Sequence, residues 1–166
     1  MVDRYTLKLL RTMKVVRWLL TYVVAFFVGS FIMMQLHGLS GTFFPESAME
    51  SMPQDDPEAL KAFIEQLSLG AKLFVSFAHW MGTAFAAAVA MAMAPVSQEQ
   101  MTHPSRLRVT APGWAMGVWF LIGGIVNALM IPLPSWLVML DLMGYFPVAL
   151  ATSFAVVRLR QRLGST

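Results

Sequence analysis

A few polar side chains lie inside long apolar stretches of this sequence, and their chemistry is the first clue to function. They are Ser30, His37, Ser76, His79, Thr83, Asn127, Asp141 and Tyr145. Imidazole, carboxylate and phenol groups can transfer protons, hold a ligand or bind a metal ion. Polar groups inside a membrane are costly, so they usually face the protein interior and a partner.

The depth of these residues along their helices predicts which of them meet. At a rise of about 1.5 Å per residue, Asp141 lies roughly 9 Å from the nearest predicted turn, His79 roughly 12 Å and Asn127 roughly 6–8 Å. We therefore predict that His79 and Asp141 approach each other across a bundle. Asn127 and Tyr145 are their expected hydrogen-bond neighbours.

Other polar residues extend this layer. His37 lies at the outer end of the first predicted helix, with Ser30 two turns beneath it on the same face. Thr83 shares a side of the second helix with His79. Four helices thus each place a polar group in the outer third of the membrane.

Three interpretations of the polar layer stay open. It is a buried clamp that fixes helix register, an outward-opening pocket that handles protons or a ligand, or a metal site of His37, His79 and Asp141. No two of these three residues have i, i+3 or i, i+4 spacing, the pattern of ligand pairs on one helix. The sequence has no G-x-S-x-G elbow, glycine-rich phosphate loop or cysteine nucleophile, so we assign no catalytic residue and identify no cofactor.

The composition indicates where these residues are held. Of 166 residues, 57% are hydrophobic and 13% charged, whereas an average soluble domain has roughly a quarter charged residues. Stretches 18–45 and 73–98 contain no charged residue, and 109–157 contains only Asp141. A membrane crossing needs about 20 apolar residues. The third stretch is long enough for two crossings around the turn at 132–135, where Pro132 and Pro134 interrupt helix hydrogen bonding.

We therefore predict an all-α fold, a four-transmembrane-helix bundle in a single domain. The expected helices span residues 15–37, 71–93, 113–131 and 136–157. An outer segment, 38–70, and an inner loop, 94–112, connect them.

The positive charges predict the orientation. Of the twelve Lys and Arg residues, only Lys61 and Lys72 fall in or beside the acidic segment 38–70, and the other ten flank the opposite helix ends. Because cytoplasmic flanks collect Lys and Arg, we expect a bacterial inner-membrane protein with both termini in the cytoplasm. These short basic flanks form no continuous groove with interleaved aromatics, so we expect a lipid bilayer as partner and no nucleic acid.

Two segments outside the spans carry helical patterns. Arg4, Lys8 and Arg11 share one face, which suits a short helix on the inner leaflet or serves simply to set topology. In the outer segment, Asp55-Asp56-Pro57 precedes Leu60, Phe63, Ile64 and Leu67 at i, i+3, i+4, i+7 spacing. This pattern predicts a short amphipathic helix, which is either a packed connector or a substrate lid.

Small residues predict close helix packing. The second helix carries a row of them at four-residue spacing, and Gly124 adds one on the third helix. The row is Ala78, Gly82, Ala86, Ala90 and Ala94. Small residues let helix backbones approach in lipid, so this row favours a tight bundle or a homo-oligomer.

Two blocks of the sequence carry a family resemblance. Residues 77–83 read FAHWMGT, and residues 123–147 read GGIVNALMIPLPSWLVMLDLMGYFP. They resemble the A-H-x-x-G-T element and the G-G-x-x-N, P-x-P-x-W, L-D-L and Y-x-P elements of an uncharacterised family of small bacterial four-helix integral membrane proteins. The resemblance covers about half the chain. It implies a four-helix inner-membrane fold and no particular activity, and its elements include His79, Asn127, Asp141 and Tyr145.

These patterns together predict a non-enzymatic structural or accessory component of a membrane assembly, as a homo-oligomer or beside other membrane subunits. The alternative is a small transporter or ligand-binding protein with an outward-facing polar pocket around His79 and Asp141. A membrane enzyme is the third choice.

Overall fold

The computed structural model describes residues 4–48, 52–53, 56–97 and 106–163. Its elements are α1 (Arg4–Phe43), a 3-10 turn (Pro45–Ser47), α2 (Pro57–Gln66), α3 (Leu69–Met93), α4 (Arg106–Val109), α5 (Ala111–Met130) and α6 (Ser135–Leu163). Four of them, α1, α3, α5 and α6, are long and apolar enough to cross a membrane. The predicted all-α four-helix bundle is confirmed, and the chain is a multi-pass membrane protein.

Helix α1 is longer than predicted at both ends. It begins at Arg4 rather than residue 15 and ends at Phe43 rather than residue 37. The basic stretch, for which a separate surface helix or a purely topology-setting role was expected, therefore forms the first turns of α1. The reason is that α1 contains no proline, and its glycines at 29, 38 and 41 weaken a helix without ending it. His37 consequently lies inside the helix.

Helix α3 is the centre of the bundle. It packs against α1, α5 and α6, whereas α1 contacts α5 only over a short region. In that region Phe26 lies against Phe120, with ring centres 6.0 Å apart. All positions of the predicted small-residue row, which runs along α3 to its C-cap, are buried.

The crossing of α1 and α3 depends on two glycines. A Cβ on Gly82 would lie 2.7 Å from the Gly29 carbonyl oxygen, and a Cβ on Gly29 would lie 2.6 Å from the Gly82 oxygen. Neither residue can carry a side chain without moving the backbones apart. On the other side of the bundle, a Cβ on Gly117 would lie 2.5 Å from the Ala149 Cβ, so α5 and α6 also pack backbone to backbone.

Arg160 joins two helices at the end of the bundle that carries the basic flanks. We call this end the basic end. Its guanidinium donates to the carbonyl oxygens of Met91 at 2.8 Å and Val96 at 3.1 Å. The last carbonyls of a helix lack intrahelical partners and attract a cation. Arg160 therefore ties the end of α6 to the end of α3.

The opposite, acidic end of the bundle carries α2 and its flanks. Asp56 caps α2 by accepting from the backbone N–H groups of Glu58 and Ala59, and Ile64 is the buried residue of the amphipathic face. Asp55, the other predicted capping residue, is outside the described residues. The short helix that the sequence predicted is therefore present, with Ile64 as its buried residue.

A side-chain hydrogen bond also joins the two chain segments that enter and leave this connector. Ser68, the N-cap of α3, donates to Glu46 Oε1 at 2.6 Å. This hydrogen bond favours the carboxylate, so it holds the pKa of Glu46 below its ordinary value.

Candidate functional site

The centre of the polar layer is a contact between α3 and α6. His79 Nδ1 lies 3.0 Å from Asp141 Oδ1 and 2.9 Å from Asp141 Oδ2. Both side chains are buried, with 8% of His79 and 10% of Asp141 exposed. Since an ionised carboxylate only accepts, Nδ1 carries the hydrogen and donates it to Asp141. The structure thus brings together the two residues that depth alone had paired.

Tyr145, one turn further along α6, contacts the same carboxylate. Its hydroxyl donates to Asp141 Oδ2 at 3.2 Å, and its ring stacks on His79 with centres 6.0 Å apart. Gly124 of α5 makes room for this ring, because a Cβ there would lie 2.7 Å from a Tyr145 ring carbon. Gly124 on α5 therefore leaves room for the hydrogen bond between Tyr145 and Asp141, which both lie on α6.

Trp80 is a member of the site that the sequence analysis did not single out. Its indole N–H donates to the backbone carbonyl of Asp141 at 3.0 Å. The indole lies against Gly144, where even a single added carbon would collide with it. The available signal was a tryptophan well inside a span, since a buried indole N–H needs an acceptor.

The first helix also reaches the site, through His37. Its ring centre lies 5.1 Å from that of His79. His37 Nδ1 lies 2.9 Å from the carbonyl oxygen of Met33, one turn earlier on α1. His37 is half-buried, whereas His79 is buried. The aromatic and ionisable side chains thus form a row, here the polar row, in the order His37, His79, Asp141 and Tyr145.

Two hydroxyls flank His79 on α3. Thr83 donates to the His79 carbonyl oxygen at 2.9 Å, so it is satisfied within its own helix. Ser76, one turn before His79, is buried, and its hydroxyl oxygen has no hydrogen-bond partner among the described residues. Thr83 therefore hydrogen-bonds within its own helix and not to Asp141.

Two predicted members are not part of the cluster. Asn127 was expected to be a hydrogen-bond neighbour, but its half-buried side chain bonds to no described residue. Three residues along a helix is a rotation of about 300°, so Asn127 points about 60° away from Gly124, the residue of α5 that faces Tyr145. Ser30 is also half-buried and unbonded within this part of the chain, two turns from His37.

The three-ligand metal site considered from the sequence is not formed. Within the described ranges, no three His, Asp or Glu side chains converge as metal ligands. Asp141 uses both oxygens on His79 and one on Tyr145, so it stands behind the His79 ring rather than beside its free nitrogen.

The fold and the site together define an all-α membrane protein with four spans and a buried His–Asp–Tyr–Trp cluster between α3 and α6. No family model, curated protein or solved structure matches this chain. The family resemblance of residues 77–83 and 123–147 therefore stays a prediction.

Proposed function

We propose that this protein is a non-enzymatic structural or accessory component of a membrane assembly. The observation that carries the proposal is the closure of the polar cluster on itself. Asp141 receives His79 and Tyr145 on its side chain and Trp80 on its backbone oxygen, all from within the bundle. The hydrogen bonds from His79 and Trp80 to Asp141 hold α3 to α6 and fix their register.

The surface available to an assembly is the outer face of α1. Large apolar side chains dominate it, including Leu20 at 53%, Phe27 at 64% and Phe31 at 53% exposure. Lipid tails satisfy such a face, and so does a neighbouring helix. A second copy of this chain or another membrane subunit fits the same apolar face.

Single cysteines test this proposal directly, because the natural sequence contains none. Leu20→Cys lies on the exposed face of α1, and Ala25→Cys lies on its buried face. In native membranes we expect an apolar maleimide–diazirine crosslinker, attached through its maleimide to Leu20→Cys and then photoactivated, to join that variant to a second copy or another subunit. The same reagent should give no product with Ala25→Cys. Equal and negligible cross-linking of both variants would contradict an assembly that uses this face.

The proposed orientation has its own pair of variants. Gln66→Cys lies at an exposed position in the acidic segment, and Arg162→Cys lies at an exposed position at the basic end of α6. With cytoplasmic termini in a bacterial inner membrane, a membrane-impermeant maleimide labels Gln66→Cys from the periplasm. It labels Arg162→Cys only after the inner membrane is permeabilised. The reverse result would overturn the orientation.

A second candidate, a small transporter or ligand-binding protein, is favoured by one observation. The half-buried His37 continues the polar row from the buried pair toward the acidic end. In proteoliposomes this function predicts a pH-dependent flux that Asp141→Asn abolishes in folded protein. Under the structural proposal, Asp141→Asn changes the melting temperature only.

A further inference from the structure

The pair His37 and His79 presents two ring nitrogens with no partner in the described chain. His37 Nδ1 is occupied by the Met33 carbonyl, and His79 Nδ1 by the Asp141 carboxylate. A carbonyl or carboxylate oxygen only accepts, so in the neutral form of each imidazole the hydrogen is on Nδ1. Each Nε2 is then left with a lone pair. Metal-binding histidines show this arrangement, with the second nitrogen held by a carbonyl or carboxylate.

The spacing of the rings suits two ligands of one ion. A nitrogen ligand at about 2.0 Å puts the ring centre about 3 Å from the metal, so two such rings at tetrahedral or trigonal angles have centres about 5 Å apart. The centres of His37 and His79 are 5.1 Å apart, with ring planes at 42°. The two helices therefore hold the rings at a ligand-to-ligand distance.

The side chain of Met33 lies one turn away from the two rings. Met33 is one turn before His37 on α1, and its terminal methyl lies 3.3 Å from where a Gly82 Cβ would be. Gly82 is one turn after His79 on α3, so the Met33 side chain lies across the α1–α3 crossing. Its neighbour Met34 is 62% exposed on the opposite side. Thioether and imidazole together favour Cu(I) over harder ions.

The charge of the site favours the same ion. An ionised Asp141 would place one negative charge beside His79 Nδ1. A monovalent cation on Nε2 would leave the buried group neutral, whereas a divalent cation would leave an uncompensated positive charge inside the membrane.

We propose that His37 and His79 bind a soft monovalent metal ion, Cu(I), through their Nε2 atoms, with the Met33 thioether as third ligand. Asp141 is a positioning residue that orients the His79 ring and balances the charge. The site joins α1 to α3 near the acidic end. It does not depend on the proposed assembly function.

The test is an anaerobic titration of the purified full-length protein in detergent with Cu(I), against a chromophoric Cu(I) chelator. We expect one Cu(I) per chain. His37→Gln and Met33→Leu should weaken binding at least about tenfold, and Asp141→Asn by about 10–100-fold as an outer-shell change. Met34→Leu is the matched control and should bind as the natural sequence does. Metal-free melting curves identify variants that fail to fold, and those variants are left out of the comparison.

X-ray absorption supplies a readout that a structural role would not change. The Cu(I)-loaded protein should show a sulfur scatterer that Met33→Leu removes and Met34→Leu retains. The proposal is overturned if the natural sequence binds no Cu(I). It is also overturned if folded His37→Gln keeps full affinity, or if Zn²⁺ binds more tightly than Cu(I).

Discussion

Helices α1 and α3 show that hydrophobicity and burial do not go together in this protein. The most apolar stretch of α1 is more hydrophobic than that of α3, yet 17% of its residues are buried against 44% in α3. In water the more apolar helix would be expected in the core. In lipid no such force acts, because the tails are as apolar as leucine. Close packing and polar contacts decide instead which helix is central.

The buried residues of both helices are small or polar, apart from Met91 near the end of α3. On α1 they include Thr21, Ala25 and Gly29, while large apolar side chains such as Leu20 and Phe27 are exposed. On α3 the small row is joined by the buried imidazole of His79. The comparison predicts that substitutions at the contacts of α3 are costly and that those on the outer face of α1 are not.

The largest effect is expected from Asp141→Ala, which removes the carboxylate that His79 and Tyr145 contact. Breaking a buried pair by removing one partner costs about 3–5 kcal/mol in the free energy of unfolding. Unfolding in bicelles or mild detergent measures this loss. Met139→Ala, at an exposed position of the same helix, is the control, and equal losses in the two variants would break the comparison.

A smaller effect is expected from Gly82→Ala at the α1–α3 crossing. The new Cβ would lie 2.7 Å from the Gly29 oxygen, and overpacking of this kind costs about 1–3 kcal/mol. Gly38→Ala is the matched control, because nothing lies within 4 Å of its added Cβ. Since alanine favours a helix over glycine, that control should keep or raise the melting temperature. A Gly82→Ala protein as stable as Gly38→Ala would show that the crossing is not tight.

A weaker, pH-dependent effect is expected where the connector joins α1 to α3. The Ser68 hydrogen bond lowers the pKa of Glu46 in the folded state. The carboxylate therefore stabilises the fold above its ordinary pKa of about 4.3, and this contribution disappears as pH falls through the lowered value. Melting curves should show Glu46→Gln slightly less stable at neutral pH and equal to the natural sequence in acid. A difference that does not change with pH would contradict this assignment.

The smallest effect is expected from Leu20→Ala on the exposed face of α1. The side chain has no role in the core of one chain, so the free energy of unfolding should change by less than about 0.5 kcal/mol. If α1 contacts a partner, the same variant should weaken the assembly in native gels while the monomer stays equally stable. A loss comparable to that of Asp141→Ala would mean that α1 is not a peripheral helix.

The features that could be predicted from the sequence are those that depend on a residue's position along a single helix. Charge-free length defines the four spans, and the rise per residue placed His79 and Asp141 at compatible depths. The predicted boundaries of α3 and α5 lie within two residues of the observed ones. The ends of α1 and the end of α6 were predicted less well, because charges and a polar histidine were taken as the limits. Helix α6 ends at Leu163 rather than at residue 157.

The sequence could not predict which way each helix is rotated or which neighbour it meets. The rotation of each helix turns Asn127 away from the cluster and brings the Trp80 indole to the Asp141 carbonyl oxygen. It also makes α3 the central helix. These outcomes depend on glycines of one helix opposite large side chains of another, such as Gly144 opposite Trp80 and Gly124 opposite Tyr145.

The most direct test of the clamp between α3 and α6 is a double-mutant cycle on His79 and Asp141. The free energy of unfolding is measured in bicelles for His79→Ala, Asp141→Ala and the double variant. Because the residues contact each other at 2.9 Å, the double variant should lose about 1–3 kcal/mol less than the sum of the single losses. Losses that add to within about 0.5 kcal/mol would show that the pair does not hold the helices together.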